Sequence, residues 1–160
     1  MDEALEIIDK WNNIFSATTT NGEGCGHFIP EFGMMMNNML GEQDLNPYGF
    51  HKWETQRRLP TMICPTIILK NNKPMYVLGS GGSNRIRSAI TQVLLNLIIK
   101  KMPLKEAIDA PRIHLEGREL YCEPNIKNPN HNYLRQIKTI PFEEKSLFFG
   151  GVNCVTKDQA

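Results

Sequence analysis

The stretch Gly79-Ser80-Gly81-Gly82-Ser83-Asn84-Arg85 constrains the fold more than any other part of the chain. Two apolar runs precede it, over residues 62–69 and 74–78, and the most periodic segment, residues 86–100, follows it. Strand, glycine-rich turn and helix in that order commonly build a site for negative charge. Small residues let the backbone come close to a ligand. The first amides of a helix have no intrahelical partners, and the dipole there favours an anion. A phosphate, a carboxylate or a reaction oxyanion would each suit such a loop. The same residues also read as a tight turn with Ser83 or Asn84 as N-cap.

The helix is amphipathic. Ile86, Ile90, Val93, Leu94, Leu97 and Ile98 share one face, while Arg87, Gln92, Asn96 and Lys100 lie mostly away from it. It is expected to pack flat on a sheet. Pro103 opens a short second helix over 104–109 by the N1 preference. Upstream, residues 5–9 and 14–20 read as two strands of a hairpin turning at 10–13. Pro65 interrupts the run opened by Pro60-Thr61-Met62, which predicts an edge strand, a bulge or two separate pieces. Asn71-Asn72 turns that run back into residues 74–78. Residues 120–123 and 148–155 read as further strands, 125–132 as loop and 133–138 as a helical turn or two. Strands, two helices and strands again indicate an α+β layered domain with a largely antiparallel sheet.

Met34-Met35-Met36 reads as core filler. Asn37 and Asn38, inside that apolar run, need buried partners and so point to a structural or site role. Glu42 and Asp44 in the polar loop that follows suit either solvent or an ammonium group. His114 reads as a satisfied structural histidine rather than a catalytic one.

Composition narrows the partners. At 160 residues the chain is most simply one domain, 1–160, and its 41% apolar content puts it outside the disordered range. A net charge of +1 gives no general pull toward nucleic acid or membrane, and no basic run is interleaved with aromatics. The apolar runs are too short to span a bilayer. Acidic residues follow Met1 and no long apolar core appears there, so no secretory signal is read; cytoplasm is the favoured compartment. Cys25, Cys64, Cys122 and Cys154 are scattered without a CxxC pair or a Cys/His cluster, which argues for free thiols, no zinc and no cofactor. Cys25, between Gly24 and Gly26, is the one in a permissive loop, but the sequence supplies no base to make it a nucleophile.

Several pieces in order resemble one family. These are Ser16-Ala17-Thr18-Thr19-Thr20, Gly33-Met34-Met35-Met36-Asn37-Asn38-Met39, Cys64-Pro65-Thr66-Ile67-Ile68-Leu69-Lys70, Gly79 to Ile86, Glu106 to His114, and Phe149-Gly150-Gly151-Val152. Together they resemble the small-subunit half of γ-glutamyltranspeptidases, which are N-terminal-nucleophile hydrolases. The stretch from Asn38 to Pro47 looks more like the transferase-like branch of that family. The resemblance implies a four-layer αββα sandwich cut from a precursor, a large-subunit-like partner half, and a γ-glutamyl compound such as glutathione, or another small carboxylate, as ligand. It implies attack by a threonine freed at the small-subunit N-terminus, with its own amine as base.

By the same resemblance Gly82 and Ser83 supply the oxyanion donors, with Gly81 beside them. Thr20 supports the nucleophile, Glu42 receives the substrate's α-ammonium, and Thr61 contacts its α-carboxylate. Three positions depart from the pattern. Met62 stands where a serine is usual, Gly22 where an asparagine is usual, and the strand that should begin Thr-Thr-His carries Asp2-Glu3-Ala4. A closing Asp-Pro-Arg-type segment is not found after Val155. The expectation is therefore a chain without turnover of its own. The alternative is a non-catalytic module that binds a carboxylate, or that pairs with a partner half or with itself.

Overall fold

The computed structural model of the chain describes residues 2–126 and 136–157. Strand β1 (Asp2–Ile8) and strand β2 (Ile14–Thr20) pair antiparallel, with Leu5 opposite Ala17 and Ile7 opposite Phe15. The Asp9 carboxylate closes their turn by accepting from the Trp11 and Asn13 amides, both at 2.8 Å. Successive side chains of a strand point to opposite faces. Here Asp2, Ala4, Glu6 and Ile8 turn inward and are half-buried, while Glu3, Leu5 and Ile7 are exposed.

A second sheet holds β5 (Thr66–Lys70), β6 (Lys73–Gly81) and β10 (Gly151–Thr156) in the antiparallel order β10-β6-β5. Asn71 and Asn72 take φ of 51° and 62°, the positive pair that a tight hairpin turn demands. β5 is an edge strand with a register shift between Ile68 and Leu69. It begins only at Thr66, so the run opened at Pro60 is not strand before Pro65, whose missing N–H cannot join a ladder.

β6 also alternates. Tyr76 and Leu78 pack into the helix-side core, whereas Gly79 and Gly81 face β1. A Cβ on Gly79 would run into the Glu6 carboxylate and lie 2.8 Å from the Ala4 Cβ; one on Gly81 would lie 3.1 Å from the Asp2 carbonyl oxygen. The glycines thus let the first hairpin lie close on the second sheet, with Asp2 over the end of β6.

Helix α1 (Arg85–Leu94) covers the other face of β6 and β10. Ile86, Ala89, Ile90 and Val93 are buried with Leu78 and Val152. The helix continues as a π turn, Leu95–Ile99, and this corrects the expected stripe. The wider i→i+5 spacing rotates the last turn, so Ile98 is 45% exposed and Asn96 is buried. Asn96 is satisfied there: it donates to the Ala107 carbonyl at 3.3 Å and accepts from Lys100 Nζ at 2.8 Å.

Helix α2 (Leu104–Asp109) has Pro103 at its N-cap rather than inside its first turn. It leads into a third sheet of β7 (Ile113–Glu116), β8 (Glu119–Cys122) and β9 (Lys138–Pro141), where β8 and β9 run parallel. Sequence patterning foresaw only the middle strand. Most of the expected 125–132 loop, and residues 133–135 of the expected helical turn, lie outside the described residues; Lys138 opens β9. The last strand begins at Gly151, because Leu147–Phe149 forms a 3-10 turn.

A small hairpin, β3 (Phe28–Ile29) with β4 (Met34–Met35), carries the methionine run. Met34 and Met36 are 61% and 48% exposed, so the run is surface and not core filler. The described residues supply three stacked layers: the first hairpin, the second sheet and α1. Among them no helix is long and apolar enough to cross a membrane.

Candidate active site

The loop after β6 is shaped by two residues of positive φ, Gly82 at 124° and Ser83 at 51°. A Cβ on Gly82 would sit 2.9 Å from the Gly150 Cα, so only glycine fits. This geometry aims two successive amides at one point. Gly82 N and Ser83 N donate to the same oxygen, Asp2 Oδ2, at 3.0 and 3.2 Å. The other oxygen, Asp2 Oδ1, accepts from Thr20 Oγ1 at 2.5 Å. The loop is an anion cradle, and the anion in it is a carboxylate of the chain itself. Neither Ser83 nor Asn84 caps α1 with its side chain: Asn84 has helical φ and ψ, and its Nδ2 donates to Glu116 Oε1 at 3.2 Å.

Partial burial works to raise the Asp2 carboxyl, but the bonds from Thr20, Gly82 and Ser83 outweigh it and hold the group below its usual range. The charged form is the one the cradle favours.

A cleft of about 920 Å³ opens beside this contact. Thr20, Glu42, Thr61, Gly81, Gly82 and Ser83, scattered over the sequence, all line it, as does Asp2. Glu42 is half-buried, and its carboxyl is pushed up by burial first, then by the charges of Asp2, Glu23 and Asp44. Buried Asn46 fixes its loop, donating to the carbonyls of Glu42 at 2.6 Å and Leu40 at 3.0 Å. Thr61 is exposed, with its hydroxyl accepting from the Ile63 amide at 3.3 Å.

Gly22 has φ 61°, and a Cβ on it would collide with the Asn38 and Glu42 side chains, so the two side chains pack against a position that only glycine fits. Asn38 takes the site-lining place that its amide suggested, accepting from the Glu23 amide at 2.8 Å; Asn37 is exposed.

Two other candidates stand elsewhere. Cys25 is exposed and does not line the cleft; its sulfur lies 3.4 Å from the His27 amide. His114 is buried, with Nδ1 2.8 Å from Ser88 Oγ and Nε2 3.6 Å from Glu116 Oε2, and burial lowers its basicity. Among the described residues no group of three or more His, Cys, Asp or Glu side chains is arranged to hold a metal. Sequence reasoning missed Asp2 as an occupant of the cradle. The available signal was positional: counting back along β1 ends on it.

Two amides and a hydroxyl around one carboxylate form a cluster able to stabilise negative charge on an acyl oxygen. The profile of the γ-glutamyltranspeptidase family matches residues 4–160. The chain belongs to that family. It is 34% identical over 117 residues to the glutathione hydrolase proenzyme of Bacillus subtilis (strain 168), covering 72% of this chain and 20% of that protein. It is 30% identical over 156 residues to the capsule biosynthesis protein CapD proenzyme of Bacillus anthracis, covering 96% and 29%. The chain therefore spans less than a third of the length of these two curated relatives. The crystal structure of the Helicobacter pylori γ-glutamyltranspeptidase T380A mutant superposes with a TM-score of 0.78 at 28% identity, covering 96% of this chain and 89% of that one. The fold is thus the α+β fold of a γ-glutamyltranspeptidase half, an N-terminal-nucleophile hydrolase architecture, and the cradle closes its second sheet.

Proposed function

We propose that the chain is the small-subunit half of a γ-glutamyltranspeptidase-like protein, and that its cleft keeps the parts that recognise a γ-glutamyl group without turning one over. The observation that carries this reading is the Asp2 carboxylate on the Gly82 and Ser83 amides. In this reading those amides are the donors for the acyl oxygen, Thr20 is the hydroxyl beside the reacting centre, Glu42 meets the α-ammonium and Thr61 meets the α-carboxylate, with Gly81 leaving room between them.

Asp2 stands where the family's nucleophile is expected, and it cannot do that work. A carboxylate attacking an amide would form an anhydride, which the expelled amine attacks faster than water does. Its charge also rests on the donors that a developing oxyanion needs, and two anions cannot share them.

A partner half is part of the proposal. Leu5, Ile7 and Phe15, on the outer face of the first hairpin, are 55%, 46% and 51% exposed, an apolar patch that a fourth layer would cover.

Hydrolysis of a chromogenic γ-glutamyl anilide tests the reading. The native chain, alone or with a co-expressed large-subunit half, is expected to release no aniline. The triple variant Asp2→Thr, Glu3→Thr, Ala4→His, placed behind that half, is expected to self-cleave or to hydrolyse the anilide. Turnover by the native chain would sink the proposal, as would inactivity of a folded triple-variant complex.

A further inference from the structure

We infer that the Asp2 side chain is a built-in ligand of the Gly82–Ser83 cradle, so that the cleft admits an external carboxylate only when Asp2 leaves it. This inference rests on the reading above of the cradle as the seat of a γ-glutamyl acyl oxygen, and it adds how that seat is regulated.

The contact is complete rather than incidental. One oxygen of Asp2 takes both cradle amides, and the other takes the Thr20 hydroxyl. These are the same three donors that the acyl group of a ligand would use. Because the two amides converge on a single oxygen, the loop cannot hold a second carboxylate beside the first. The loop has little room to widen, since Gly82 lies against the Gly150 Cα and its φ is fixed by the turn. Asp2 is delivered by strand register. It is the first of the inward set on β1, and Gly81 beneath it leaves the space that its backbone needs.

Charge strengthens the exclusion. Glu3, Glu23, Glu42 and Asp44 line the same cleft as Asp2. Arg85 is the one cation among the described lining residues, and it is engaged: its Nε donates to the Phe148 carbonyl at 3.0 Å and its guanidinium lies over the Phe148 ring. A dicarboxylate approaching the native site meets like charges and occupied donors. With the Asp2 carboxylate gone, the vacated amides and Thr20 can take the side-chain carboxylate of a small amino acid such as glutamate, while its ammonium faces Glu42.

The test follows the Gly82 and Ser83 amide resonances of the isotopically labelled full chain during titration with L-glutamate. Asp2→Ala is expected to give saturable shifts at those two amides, with an apparent Kd about ten-fold or more below that of the native chain, because self-occupation reduces apparent affinity by the fraction of open sites. Equal shifts in the two proteins, or no saturable shift in folded Asp2→Ala, would overturn the inference.

A second measurement does not depend on the folding of that variant. In the native chain both amide shifts should follow the acid titration of Asp2, and Asp2→Asn should remove that step. Amides indifferent to Asp2 protonation would overturn it equally. Failure of the functional reading is seen separately, as anilide turnover by the native chain.

Discussion

The Asp2 contact ties a single side chain to the pH response of the fold. Its carboxyl is held below the ordinary 3.8 in the folded chain, so on acidification the unfolded chain takes up this proton first. The stabilisation is fully present above the unfolded value and is lost as pH falls through the lower folded value. Denaturant unfolding should therefore show native and Asp2→Asn chains well separated near neutral pH and converging in strong acid. A gap that widened toward acid would contradict the contact.

Glu42 reports the same charge from the other side of the cleft. Removing the Asp2 charge should bring the Glu42 titration midpoint down, yet leave it above 4.5 because its burial remains; carboxyl-carbon resonances would read this directly. Gly82→Ala should cost about 1–3 kcal/mol for a strained φ, measured as a lower unfolding midpoint, and the backbone of Gly150 gives no relief.

At the scale of elements, α1 and the third sheet hold the cradle in place. Glu123, 3% exposed, accepts from the Arg112 amide at 2.7 Å and faces the Arg112 Nε at 3.6 Å, tying the strand after α2 to β8. Glu123→Ala leaves a buried guanidinium without its counter-charge and should destabilise the fold by about 3–5 kcal/mol. Glu123→Gln keeps an acceptor for the Arg112 amide and should cost less; calorimetric unfolding of the two variants orders them. Gln92 makes a second tie, bridging α1 and β7 with bonds to the Ile113 carbonyl at 2.8 Å and amide at 2.9 Å.

For the whole molecule, the first hairpin sets the association behaviour. One of its faces lies on β6 and the other shows Leu5, Ile7 and Phe15 to solvent. The isolated chain should self-associate through that face, and Ile7→Lys with Phe15→Lys should reduce the mass seen by light scattering. A native chain that stays monomeric at high concentration would show that the patch needs no cover.

The sequence by itself determined the strand–glycine turn–helix unit, the first hairpin and the anion character of the loop, because each rests on local chemistry: positive φ at glycine and asparagine, alternation along strands, and unpaired amides at a helix start. Thr20, Glu42, Thr61, Gly81, Gly82 and Ser83, named from the order of the motifs, are brought by the fold to one cleft. Tertiary structure decided the rest. Leu5 and Ile7 are the obvious core residues of β1 by hydropathy, yet Ala4 and Glu6 turn inward, because sheet packing over Gly79 and Gly81 admits only that register. The π turn that buries Asn96 in place of Ile98 answers to α2, a partner no local pattern contains. Asp2 entered the cradle for the same reason: its three donors lie 18, 80 and 81 residues away, and only packing of the first hairpin on the second sheet brings them to one carboxylate.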